Sequence, residues 1–299
     1  MEKIHSAILK ARQEREARET RETAAPAAPA VTAARVDVAA PMPPAASAPP
    51  APPAPAPHAD DTSSRWAGLE QYKPDRRALA RNRIVAFEAG PSSICYDVLR
   101  TNILRQMRAK GWKRLAITSP TPGCGKTTTS LNLGFSLGRL RDLHTLVIEV
   151  DLRRPSMRNC LKEKQRHMFA SVLAGEAHAD DHLTAFGKTL AFGSNQASVK
   201  NSSELLAGTQ VGVSLAEMDR HFAPDITIFD MTPMLVSDDT IAFLRNVDCV
   251  MLVAAASVTT AAQVDRCERE LAEQTNVLGV VLNKCQFISP DEDYSYDYY

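Results

Sequence analysis

From Pro91 onward the apolar residues gather into short runs separated by stretches of helical period. Five runs are short, rich in aliphatic and β-branched residues and bounded by polar positions, which predicts strands. They are RLAIT (114–118), HTLVIEV (144–150), DITIFD (225–230), CVMLVA (249–254) and VLGVVLN (277–283). Ahead of the first run, Tyr96, Leu99, Ile103 and Met107 recur at helical spacing, with Ser92 or Ser93 as cap and Gly111 as stop. A second helix is expected over 126–139. A later one spans 259–274, with Val264, Cys267 and Leu271 sharing a face. Strands that are apolar on both faces and alternate with helices predict an α/β fold, a mostly parallel sheet covered by helices on both faces. Ligands of such sheets bind at the C-terminal ends of the strands.

The ends of the chain follow other patterns. Residues 1–22 place Ile4, Ile8 and Ala11 on one side among charged residues, which predicts a short amphipathic helix. More than half of the 19 prolines lie between Pro26 and Pro57 in a stretch otherwise dominated by alanine. With few large side chains to bury and few backbone donors, residues 23–83 are expected to be a semi-extended linker. The packed domain is then expected over 84–287, with a flexible acidic tail over 288–299.

Charge and hydropathy remove several classes of function. Lys plus Arg equals Asp plus Glu at 35 each, so no net charge draws the chain to nucleic acid. The most apolar run, 249–258, is too short to span a bilayer, and the N-terminus MEKIHSAILKARQERE has no apolar core for a leader. The six cysteines show no metal-type spacing and one lies inside a glycine-rich loop, so reduced thiols of a cytoplasmic protein are expected.

That loop carries the clearest chemistry. In ITSPTPGCGKTT, Gly123 and Gly125 let the backbone close around a phosphate, and the N–H groups of Cys124 and Thr128 join theirs in the grip. Lys126 would offset phosphate charge and the Thr127 hydroxyl would ligate magnesium. The pattern G-x-x-x-x-G-K-[ST] asks for glycine at 120, where this chain has proline. Two carboxylates, Asp151 and Asp230, follow or end apolar strands, where they would hold the ion and orient an attacking hydroxyl. Asn283, ending the last strand, is a candidate for contact with the base, although a turn role is commoner for Asn. A nucleoside triphosphate, ATP, with Mg2+ is the expected ligand.

The last feature is the tail DEDYSYDYY, which holds four of the six tyrosines interleaved with acids. Repelling carboxylates oppose its packing, and Tyr294, Tyr296, Tyr298 and Tyr299 are candidate phosphoacceptors.

Taken together, LRTNI (99–103), TSPTPGCGKTT (118–128), EVDLRRP (149–155), NSSELLAG (201–208), FDMTPMLVSDD (229–239), GVVLNK (279–284) and the tyrosine tail resemble the bacterial tyrosine kinases (BY-kinases) of the CpsD/CapB type. The resemblance implies a P-loop fold of the MinD-like kind and ATP-dependent autophosphorylation of tail tyrosines between subunits. It also implies control of capsular or exopolysaccharide assembly, with a Wzz-like membrane polysaccharide co-polymerase as activator. The protein would be cytoplasmic, held peripherally at the inner membrane through that partner. Glu149 would occupy the family's proposed base position, where aspartate is usual. The family's subunit-contact pattern E-x-x-R-x-x-R falls on Ile94, Asp97 and Arg100, so only the last arginine matches and homo-oligomerisation stays open. Two other readings remain beside the kinase. A MinD/ParA-like ATPase would carry a signature lysine where Thr121 stands, and an ATP-binding regulatory scaffold would bind nucleotide with little phosphorylation.

Overall fold

The computed structural model describes residues 59–164 and 167–285. The expected N-terminal helix, most of the proline-rich stretch and the tyrosine tail lie outside these residues.

The fully apolar runs form the strands expected of them. They are β2 (Arg114–Thr118), β3 (Thr145–Glu149), β6 (Ile226–Asp230), β7 (Cys249–Ala255) and β8 (Asn276–Asn283). β1 (Glu70–Gln71), β4 (Leu183–Phe186) and β5 (Leu190–Gly193) complete one eight-stranded sheet in the order β1-β4-β5-β3-β6-β2-β7-β8. Every pairing is parallel except β4 with β5, so the sheet is mostly parallel as the pattern requires. β2, β3, β6 and β7 are buried almost throughout, which explains why alternation is absent from their sequences.

Helices cover both faces. On one face lie α3 (Ile94–Lys110), with Ile103, Leu104 and Met107, and α4 (Lys126–Gly138), with Leu131 and Phe135. On the other face α8 (Thr209–Phe222) contributes Val211, Leu215 and Phe222, while α10 (Ala261–Ala272) contributes Cys267 and Leu271 with Val264 against them. Gly111 stops α3 in the left-handed region at φ 69°. Ser93 precedes α3 without capping it, since its hydroxyl donates to Gly90 O and Asp97 instead.

The linker ends earlier than expected. Residues 59–83 are folded, as α1 (Ala59–Gly68), β1 and α2 (Arg76–Arg81). Their large apolar side chains supply the reason: Trp66, Leu69, Tyr72 and Leu79 are all buried. The indole N–H of Trp66 donates to Phe222 O at 2.9 Å, and the Tyr72 hydroxyl donates to Leu161 O at 2.6 Å. Asp75 caps α2 by accepting from the N–H groups of Arg77 and Ala78. The segment is therefore part of the core rather than a tether. Trp66→Ala is expected to cost about 3–5 kcal/mol, read as a lowered midpoint in chemical denaturation. An unchanged midpoint would return this segment to the linker.

Candidate nucleotide-binding site

Sheet order brings the expected residues together. β2 lies between β6 and β7, and β6 between β2 and β3. In register, Ile117 stands opposite Asp230, and Asp230 opposite Glu149. The loop after β2 therefore faces the ends of β3 and β6, which carry the carboxylates.

The loop is built on two left-handed glycines, Gly123 at φ 79° and Gly125 at φ 97°. Position 120 is not in the left-handed region, so proline satisfies it where the strict motif has glycine. Its carbonyl accepts from Leu235 N–H and ties the loop to the turn after β6. A Cβ on Gly125 would sit 2.2 Å from Asn283 Nδ2, and that amide donates to Cys124 O at 2.9 Å. Asn283 thus braces the loop, while its Oδ1 accepts from Lys284 N–H. Cys124 is buried, with its sulfur 3.5 Å from the hydroxyls of Thr121 and Thr259. Burial raises its pKa, but those hydrogen bonds outweigh burial and hold the thiol below its ordinary value.

Lys126 opens α4 and is itself buried. Its ammonium lies 2.6 Å from Asp151 Oδ2 and 3.9 Å from Asp230 Oδ1. Burial alone would lower its pKa, yet the charges of Asp230 and Asp151 prevail and hold it above the ordinary value. Asp230 is wholly buried, and burial raises its pKa against the pull of Lys126 and of the Thr127 and Ser130 hydroxyls. Among the described residues its Oδ2 has no hydrogen-bond partner. A buried carboxylate oxygen without a donor is costly, and a cation or a cation's bound water would satisfy it. Thr127 and Asp151, both lining the cavity above, complete an all-oxygen donor set of the kind a hard divalent ion takes. That cavity, about 950 Å³, is lined by Gly123, Gly125, Lys126, Thr127, Thr128 and Asp151 among others.

Glu149, expected at the base position, is not among the residues that line the cavity. It is fully buried, and Oε1 accepts from the N–H groups of Ser156 (2.5 Å) and Met157 (2.7 Å). Oε2 accepts from Asn195 N–H at 2.9 Å, while the Asn195 side chain donates to Glu149 O. Burial pushes the carboxyl up to about 7 despite these donors. The group faces backbone, not the cavity, because the chain turns immediately after β3: the N–H groups of Val150 and Asp151 both donate to Asp230 O.

Two further groups of residues lie at this site. Ser156 lines the cavity, and its hydroxyl donates to Thr127 Oγ1 at 3.2 Å. Arg153, a charged turn residue by sequence, donates from Nε and Nη2 to Asp239 at 2.9 and 2.8 Å. Asp239 also accepts from Ser202 and Ser203, so three of the separated motifs meet in one network beside the cavity. The four tail tyrosines lie outside the described residues.

Residues 115–287 match the CbiA family, described as the CobQ/CobB/MinD/ParA nucleotide binding domain. The tyrosine-protein kinase CpsD of Streptococcus pneumoniae is 30% identical over 208 residues, 68% of this chain and 88% of that one. The tyrosine-protein kinase etk of Escherichia coli K12 is 30% identical over 187 residues, 62% of this chain but 25% of that much longer one. The solved kinase domain of the Escherichia coli tyrosine kinase ETK superposes with a TM-score of 0.60 at 28% identity, covering 70% of this chain and 82% of that chain. The chain therefore belongs to the CobQ/CobB/MinD/ParA family of nucleotide-binding domains and, within it, to the bacterial tyrosine-protein kinases.

Proposed function

We propose that this protein is an ATP-dependent tyrosine autokinase that phosphorylates Tyr294, Tyr296, Tyr298 and Tyr299 of its own tail. The observation that carries the reading is the buried Lys126 shared by Asp151 and Asp230 at the mouth of the loop. Lys126 would bind the β- and γ-phosphate oxygens of ATP, joined by the backbone N–H groups from Gly123 to Thr128. Thr127, Asp151 and Asp230 would hold Mg2+, which screens phosphate charge as the γ-phosphoryl group is transferred. Asp151, the carboxylate that lines the cavity, would accept the proton as the tyrosine oxygen bonds to phosphorus and ADP leaves. Asn283 would support the base side of the site through the loop it braces.

The wider setting follows from the same reading. Phosphorylation of the tail would regulate capsular or exopolysaccharide assembly, with a Wzz-like membrane polysaccharide co-polymerase as activator. The domain would be cytoplasmic and peripheral at the inner membrane. Among the described residues no helix is long and apolar enough to cross a membrane. Asp97, in the subunit-contact stretch, pairs within its own chain with Arg139 and Arg100, so a homo-oligomer would need other contacts there. The scaffold reading is favoured by one observation, the engagement of both Glu149 oxygens with backbone.

Incubating the purified chain with Mg-ATP and the partner's cytoplasmic segment, followed by phosphotyrosine mapping, separates these readings. The expected result is labelling confined to 294–299 and abolished when the four tail tyrosines are changed to Phe. Labelling that survives those changes would overturn the acceptor assignment. Bound nucleotide without any phosphotyrosine would establish the scaffold.

A further inference from the structure

We propose that Ser156 is a positioning residue of the metal-binding half of the site, and that Glu149 is the strut that sets it there. The proposal rests on the reading of a magnesium–nucleotide site.

The geometry runs as a chain of contacts from the sheet to the cavity. Glu149 is the last residue of β3 and has no exposed surface. Its Oε1 takes two successive backbone N–H groups, those of Ser156 and Met157, seven and eight residues on. Its Oε2 takes Asn195 N–H, just beyond β5. One carboxylate thus pins the loop 150–157 against two neighbouring strands. A glutamate reaches one methylene further than an aspartate would, and the extra length is spent on backbone rather than on the cavity.

The pinned loop then places the Ser156 hydroxyl 3.2 Å from Thr127 Oγ1, with Ser156 as donor. A threonine hydroxyl has one proton and two lone pairs. Ser156 occupies one lone pair. The second lone pair remains for a cation. Ser156 therefore limits the rotation of the one hydroxyl that the loop offers to the ion. Removing it leaves Thr127 free to turn, and the metal-dependent share of nucleotide affinity falls.

The test is fluorescence titration of the full chain with mant-ATP, once with Mg2+ and once with EDTA. Ser156→Ala is expected to shrink the affinity gained from Mg2+ by about fivefold, the worth of one ordinary hydrogen bond, with affinity in EDTA unchanged. Ser156→Thr keeps the hydroxyl and restores the gain. Glu149→Gln puts an amide against the N–H of Asn195, so it loses the same gain and melts earlier. Adding Ser156→Ala to Glu149→Gln costs no more than Glu149→Gln alone, because both act through one contact. An unchanged Mg2+ gain in Ser156→Ala overturns the proposal, as do additive effects in the double variant. Ser156→Ala reads the link even where Glu149→Gln does not fold. A wild-type chain that gains nothing from Mg2+ overturns the proposed function itself and this link with it.

Discussion

Lys126→Met is expected to slow the proposed tail phosphorylation by at least roughly 10²–10³-fold, because it deletes the charge aimed at the transferring phosphoryl group. It also does something a purely catalytic lysine would not. The Lys126 ammonium is the counter-ion of both Asp151 and Asp230, and Asp230 is wholly buried. Breaking a buried ion pair by removing one partner costs about 3–5 kcal/mol. The loss depends on pH in a defined direction. Burial already raises the Asp230 pKa above its ordinary value of 3.8, and losing Lys126 raises it further. A carboxyl whose folded pKa lies above its unfolded pKa imposes no penalty below the unfolded value. The penalty grows as pH rises from the unfolded pKa to the folded pKa and is constant above it. The variant is therefore expected to lie closest to wild type near pH 4 and furthest below it above neutrality. Chemical denaturation of both proteins across that range checks this. A deficit independent of pH would detach Lys126 from Asp230.

The central strands β2, β3, β6 and β7 were legible because burial on both faces demands continuous aliphatic runs such as CVMLVAA. The hairpin of β4 and β5 was not. LTAF and LAFG are four residues each, contain no Val or Ile, and flank a turn at Gly187 whose signal is one residue long. The folded segment 59–83 was hidden for a different reason. Its large apolar residues Trp66, Leu69, Tyr72 and Leu79 are scattered singly in a charged stretch, and Trp66 finds its partner in Phe222, 156 residues away. Local pattern cannot report a contact of that range.

The meeting of the candidate residues was legible as well, since residue types suited to phosphate and metal chemistry stand at strand ends. Lys126, Thr127, Asp151 and Asp230 converge as their spacing and sheet order demand. The placement of Glu149 was not legible, because side-chain direction is a property of the backbone turn, not of the motif. A continued strand would point residues 149 and 151 the same way. The chain instead turns where Val150 and Asp151 share the carbonyl of Asp230, leaving Asp151 toward the cavity and Glu149 within the sheet. Ser156 was missed because a serine in a loop carries no spacing rule at all.

Gly125→Ala is expected to lower nucleotide affinity at least tenfold, and its cause can be divided between two terms. The first is conformational: φ 97° is a region that L side chains adopt at a cost of about 1–2 kcal/mol. The second is the collision of the new Cβ with Asn283 Nδ2, only 2.2 Å away. The amide is the end of a rotatable side chain, so it can move, but moving forfeits its hydrogen bond to Cys124 O and frees the loop's crown. That bond is worth about 1 kcal/mol. Asn283→Ala alone therefore weakens nucleotide binding modestly. Gly125→Ala with Asn283→Ala is relieved of the collision but not of the backbone strain, so its affinity lies no lower than that of Gly125→Ala and clearly below that of Asn283→Ala. A cycle of the four proteins, read by mant-ATP titration and thermal melts, checks this ordering. Wild-type affinity in Gly125→Ala would show that the loop does not need its left-handed turn. Full additivity of the two substitutions would show that Asn283 and Gly125 do not meet in the working protein.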